Sequence, residues 1–60
     1  MAFQHLDRVR IKSGFYKGKE ATLNDAGPLG LIYIVSGGTH VGGDYFCAGV
    51  WFWQIEKITQ

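Results

Sequence analysis

Five of the six basic side chains in this 60-residue sequence fall within twelve consecutive positions: Arg8, Arg10, Lys12, Lys17 and Lys19. Such a cluster is the usual source of contacts to phosphate oxygens. Phe15 and Tyr16 lie inside it. An aromatic ring beside lysines can stack on an unpaired base, so this set is a candidate for RNA or single-stranded DNA. The competing reading is a solvated strand face whose charge Asp7 and Glu20 balance. A second set is aromatic: Tyr33, Tyr45, Trp51 and Trp53. Tryptophan exposed beside tyrosine is the chemistry of a protein-interaction hot spot or a self-association surface. A shift of one residue in strand phase would bury both tryptophans instead.

Other chemistry has little footing. His5, His40, Asp44 and Cys47 are the remaining ligand-type residues, and they lack the close Cys or His spacings of a metal site. No metal and no cofactor is expected. No nucleophile elbow and no paired acids are visible. The Gly37-Gly38 and Gly42-Gly43 pairs lack the strand-to-helix setting of a phosphate loop. The reading is therefore a binding module with no catalytic residues. A single cysteine cannot form an internal disulfide, which fits a reducing compartment.

The elements that position these groups read as short strands. In Asp7-Arg8-Val9-Arg10-Ile11-Lys12, Val9 and Ile11 point one way and the basic residues the other. Gly14 and Gly18 bracket the tip Phe15-Tyr16-Lys17 and supply the positive φ of a tight hairpin loop. A second strand is expected over residues 19–24, with Ala21 and Leu23 inward. Asp25-Ala26-Gly27-Pro28 is a turn. Leu31-Ile32-Tyr33-Ile34-Val35 is a third strand, apolar throughout. Its periodicity does not choose between Ile32/Ile34 and Tyr33/Val35 as the inner set. Residues 36–44 form the most flexible segment, glycine-rich, and read either as a plain connector or as a mobile binding loop. Residues 45–52 form a fourth strand, and Trp53-Gln54-Ile55-Glu56-Lys57-Ile58 a tight turn and short closing strand. Only residues 54–60 have helical spacing, and they are too few for a helix.

Length bounds the rest. Sixty residues make one domain, spanning positions 1–60. A chain this short buries about 60% of the surface it exposes when unfolded. The core is therefore small. A hydrophobic fraction of 47% and a net charge of +1 exclude a disordered chain and give no global attraction to nucleic acid. The start Met1-Ala2-Phe3-Gln4-His5 has no basic head before an apolar run. No stretch reaches the roughly 18 apolar residues of a membrane span. These features predict a soluble, cytoplasmic protein.

The pattern Val9-x-Ile11-x-x-Gly14-Phe15-Tyr16-Lys17-Gly18-x-x-Ala21-x-Leu23 resembles the KOW motif of NusG-type transcription elongation factors and several ribosomal proteins. The segment Phe52-Trp53-Gln54-Ile55-Glu56-Lys57-Ile58 also looks like the end of a NusG carboxy-terminal barrel. Ala21 stands where the family has a glycine, and the proline usual in the loop tip is absent. The resemblance implies a five-stranded SH3-like barrel with Val9, Ile11, Ala21, Leu23, Val50, Phe52 and Ile55 in the core. Its register turns Ala48, Val50 and Phe52 inward, Trp51 outward, and sets Trp53 at the rim.

A second resemblance runs through Asp7-Arg8-Val9-Arg10-x-Lys12-Ser13-Gly14. This stretch is similar to the opening strand of plasmid-borne, trimethoprim-resistant dihydrofolate reductase, a tetrameric SH3-like barrel. Val50-Trp51-Phe52-Trp53 stands where that enzyme has Val-Gln-Ile-Tyr, and its pore lysine would fall on Ile11. The expectation that follows is an all-β interaction module acting on a protein of the transcription or translation machinery. A compact regulator or inhibitor of the kind phages encode fits this size. RNA or single-stranded DNA is the alternative partner, and an oligomeric reductase the second alternative.

Overall fold

The computed structural model describes residues 3–58. Met1, Ala2, Thr59 and Gln60 lie outside them, and with them the first positions of the amino-terminal reading and the last two of the 54–60 segment. The alternation of Val9 and Ile11 with arginines yields strand β1, Arg8–Ile11. The loop after it turns on two positive-φ glycines, Gly14 at 95° and Gly18 at 91°. Gly18 N–H donates to Ile11 C=O at 2.8 Å and leads the chain into β2, Glu20–Ala26. A short 3-10 turn, Pro28–Gly30, precedes β3, Ile32–Gly37. β4 is Phe46–Trp51, a second 3-10 turn covers Phe52–Gln54, and β5 is Ile55–Lys57.

All five strands join one antiparallel sheet in the order β4-β3-β2-β1-β5. The outermost strands are thus consecutive in the chain. A flat sheet would hold them about four strand spacings apart, roughly 19 Å. The four steps from Trp51 to Ile55 reach roughly 14 Å even fully extended. The sheet must therefore curl until its two edges approach at the Phe52–Gln54 corner. Backbone bonds fix that corner to both sides: Phe52 N–H donates to Leu31 C=O at 2.8 Å, and Lys12 N–H to Gln54 C=O at 2.6 Å. A bulge at Asn24, where the β2–β3 register shifts between Leu23 and Asp25, adds local twist. No ladder joins β4 to β5, so the sheet is coiled but open.

The curl wraps around a core of Val9, Ile11, Ala21, Leu23, Tyr33, Val35, Val50 and Ile55. Phe3, Tyr16 and Phe46 pack against it. Six of the seven residues expected inside are buried. The seventh, Phe52, is 46% exposed. The inward alternation of β4 stops at Val50, because the Trp51 N–H turns to the Gln54 side chain and starts the 3-10 turn. In β3 the inner set is Tyr33 and Val35. Tyr33 pairs with Val50, and Val35 lies between Leu23 and Ala48.

Residues 38–44 are more organised than the flexible segment expected from the glycines. The Asp44 carboxylate accepts the Thr39 N–H at 2.8 Å, and the Thr39 hydroxyl accepts the Gly42 N–H at 2.9 Å. Gly38 sits at φ 75°, and a Cβ there would strike the Asp44 carbonyl.

Leu23 is fully buried at the centre of the sheet. Leu23→Ala is expected to cost about 2–5 kcal/mol, most of the margin of a domain this size. Phe52→Ala should cost distinctly less. Urea unfolding followed by far-ultraviolet circular dichroism measures both.

Candidate interaction surfaces

The outer face of the curled sheet divides into a charged half and an apolar half. The charged half lies on β5, β1 and β2. There Arg10 faces Glu20 on one side and Glu56 on the other, the direct cross-strand partners in both ladders. Its guanidinium reaches Glu20 Oε2 at 3.2 Å and Glu56 Oε2 at 3.3 Å. Arg8 reaches Glu20 Oε1 at 3.7 Å and donates to Thr22 Oγ1 at 2.8 Å. Lys57 pairs with Asp7 at 3.5 Å. Asp7 is mostly covered beneath Lys57, while the arginines and glutamates are about half exposed, so each of their pairs contributes only about 0–1 kcal/mol to stability. Their larger effect is on the surface: Arg8 and Arg10 are neutralised by acids of the flanking strands.

Sequence reasoning named Asp7 and Glu20 as the balancing acids and missed Glu56. Its role depends on β5 pairing with β1, which sets it opposite Arg10. The rest of the basic set gathers at the β1–β2 loop. Lys12, Lys17 and Lys19 have no ion pair among the described residues. Phe15 is 93% exposed beside them. Tyr16 instead stacks on Phe46, with centroids 4.7 Å apart and planes 17° apart, and leans on the core. The Lys19 ammonium lies 5.9 Å from the Phe46 ring centre.

The apolar half lies on β3 and β4. Ile32 is paired directly with Trp51, and Ile34 with Gly49, all on the outer side. Leu31 and Phe52, joined by their backbone hydrogen bond, continue this surface to the corner, where Trp53 follows. Trp51 is 47% exposed and Trp53 56%. Tyr45 is also half-exposed and stacks on His40 at 4.2 Å.

Tyr33 is the exception among the aromatic candidates. It is 5% exposed, with Phe3 packed edge-on at 5.3 Å, because it falls on the inner phase of β3. Ile32, Ile34, Leu31 and Phe52 take its place on the surface. Ser36 carried the missed signal: a polar residue just after Val35 marks the outer phase, and counting back by twos reaches Ile34 and Ile32.

His40, Asp44 and Cys47 do not converge. Among the described residues no three His, Cys, Asp or Glu side chains come together as metal ligands. Ile11, where the reductase resemblance would put a pore lysine, is buried in the core. No helix among the described residues is long and apolar enough to cross a membrane.

Asp44 is held below the ordinary aspartate range, chiefly by the hydrogen bond from the Thr39 N–H. A depressed carboxyl stabilises the folded loop above its unfolded pKa, and that contribution fades as pH falls through the folded value. The Thr39 amide resonance should therefore titrate with a midpoint below that of an ordinary aspartate, and Asp44→Asn should flatten the curve. Both tryptophans should emit near the wavelength of solvated indole and be quenched readily by acrylamide; blue-shifted, protected emission would contradict their exposure. The chain matches no protein-family model, no curated protein and no solved structure.

Proposed function

We propose that this chain is a small protein-binding module, SH3-like in architecture, that docks a partner through the apolar outer half of β3 and β4. The observation that carries this reading is the directly paired Ile32 and Trp51, flanked by Ile34, Leu31, Phe52 and Trp53 on the outside of the sheet. A soluble monomer seldom leaves an apolar patch beyond about 300–600 Å² in water. Tryptophan at the centre of such a patch is the residue type most often dominant in binding. The charged half supports the same choice from the other side, because its arginines already have acid partners. The KOW-like hairpin points to a partner in the transcription or translation machinery of the cytoplasm. The small size suits a free-standing regulator or inhibitor.

A second reading, RNA or single-stranded DNA, is favoured by one specific feature. At the β1–β2 loop, Lys12, Lys17 and Lys19 lack ion-pair partners among the described residues, and Phe15 projects beside them. On this reading the contact would lie at the loop tip and not on the arginine stripe.

The two readings separate on variants. A protein captured from lysate would be purified and titrated against this chain. Trp51→Ala is expected to weaken that complex by about 30-fold, the scale of a hot-spot residue. The double variant Lys12→Glu, Lys17→Glu should leave it unchanged. Capture that disappears with nuclease, together with a salt-sensitive shift of short labelled RNA that the lysine variant abolishes, would replace the first reading with the second.

A further inference from the structure

The two edges of the sheet are guarded unequally. β5 has only three residues, and two of them, Glu56 and Lys57, are charged and engaged in ion pairs. Short, charged edges resist pairing with another chain. β4 has six residues, Phe46-Cys47-Ala48-Gly49-Val50-Trp51, and none is charged. It pairs with β3 alone among the described strands.

The hydrogen-bond phase shows which of its backbone groups are open. The bond from Phe52 N–H to Leu31 C=O flanks the Ile32–Trp51 pair. That pair is therefore of the non-hydrogen-bonded kind, and alternation follows along the regular ladder. Phe46, Ala48 and Val50 turn their N–H and C=O toward β3. Cys47, Gly49 and Trp51 turn theirs outward. The Trp51 N–H, pointing away from β3 as this phase requires, is taken by Gln54 Oε1 at 2.9 Å. Cys47 and Gly49 remain, each with an outward donor and an outward acceptor.

These open groups complement themselves. We infer that β4 pairs antiparallel with β4 of a second copy of this chain, about a two-fold axis at Ala48, with Cys47 opposite Gly49 of the other copy. Each such pair exchanges both of its backbone hydrogen bonds. The neighbouring register, centred on Gly49, would leave the Cys47 carbonyl facing a Trp51 N–H that is already used, whereas the Ala48 register satisfies both Cys47 and Gly49 and leaves only the carbonyl of Tyr45, outside β4, in that position. The Ala48 register also sets Trp51 opposite Tyr45 of the second copy, and both rings are now half-exposed. No charge between positions 45 and 51 opposes this contact.

The seam is small. Two half-exposed aromatics add roughly 200 Å² per copy to a short backbone edge, less than the ~800 Å² per partner of a stable complex. The dimer is therefore a weak one in exchange with the monomer. This inference concerns the backbone edge of the purified chain, so it stands or falls separately from docking of another protein on the outer face.

Cross-linking tests the register. Hydrogen-bonded antiparallel pairs have Cα atoms about 5.5 Å apart, inside the disulfide range of ~4.4–6.8 Å. Residues two positions off the pairing lie at about 7–8 Å, outside it. A Cβ at position 49 would meet Ile34 Cδ1 at 3.6 Å, an ordinary contact, so a small side chain fits there. With diamide accepting the two electrons and two protons, Gly49→Cys should form a covalent dimer through Cys47 and the new thiol of the other copy. The double variant Cys47→Ser, Gly49→Cys and the unaltered chain should remain monomeric on a non-reducing gel. Sedimentation of the unaltered chain, from about 10 μM to about 1 mM, should show a mass rising from 6.7 kDa toward twice that value. A constant monomer mass, or equal cross-linking of the double variant, overturns the inference.

Discussion

Three residues, Phe52–Gln54, join the strands at opposite edges of the sheet. That short reach is the constraint on which the rest of the structure depends. It forces a five-stranded sheet to coil, and coiling separates an enclosed inner face from an outer one. The inner face needs only modest side chains to fill it: valine, isoleucine, leucine, alanine and one tyrosine. The corner is held from both sides by Leu31 and Lys12. Gln54 links it further, accepting from the Trp51 N–H and donating to the Ser13 carbonyl at 3.4 Å. One polar side chain thus ends β4 and braces the β1–β2 loop.

The distribution of large aromatics runs against the needs of a small core. A 60-residue chain has little apolar burial to spare, yet both tryptophans lie on the outside with half their surface in water. Leaving half of a side chain of about 250 Å² exposed forgoes on the order of 3 kcal/mol at ~25 cal/mol/Å². Leu29 adds a second cost: it is 90% exposed and held at φ 65°, in a region where a side chain is disfavoured by roughly 1–2 kcal/mol. Leu6, at φ 71°, is different, because its N–H gains a bond to Leu23 C=O at 2.7 Å. Leu29 leads directly into Leu31 and Ile32, so its cost falls next to the apolar half of the face.

Much of the fold was legible where one physical rule acted alone. Val9 and Ile11 alternate with arginines, so their phase followed from period two. Gly14 and Gly18 marked the loop because positive φ is costly for other residues. The side on which Trp51 lies was one of two phases that the sequence left open, and the pairing of Trp51 with Ile32 decides it outward. Three features were not legible, each for a definite reason. Phe52 continues the inward alternation of β4, but Gln54 ends the strand one residue earlier. Ile32 and Ile34 are as apolar as the core, and only Ser36 marked their side. Glu56 becomes a partner of Arg10 only through the pairing of β5 with β1, a contact between opposite ends of the chain. Alternation thus told the side on which Arg8 and Arg10 lie, but not the acid that reaches Arg10 from β5.

The two halves of the outer face follow from which strands carry charge. Glu20, Arg8, Arg10 and Glu56 satisfy one another across three adjacent strands, and that half needs nothing from outside. Thr22, Asn24 and Ser36 form a polar seam, with Asn24 Nδ2 donating to Ser36 Oγ at 2.7 Å. Beyond the seam β3 and β4 carry no charge, only Ile32, Ile34 and Trp51 outward and the open backbone of Cys47 and Gly49 at the edge, with Asp25 at the end of β2 bordering Ile34. A charge on β4 itself, at Cys47 or Gly49, would have guarded the edge, as Glu56 and Lys57 do for β5. The contrast lies between two edges of one sheet, with the same solvent and the same core behind them. Protection at β5 and its lack at β4 therefore reflect side-chain identity and not a general property of so small a sheet. That asymmetry makes β3 and β4 the side on which association would cover exposed apolar surface and unpaired backbone together.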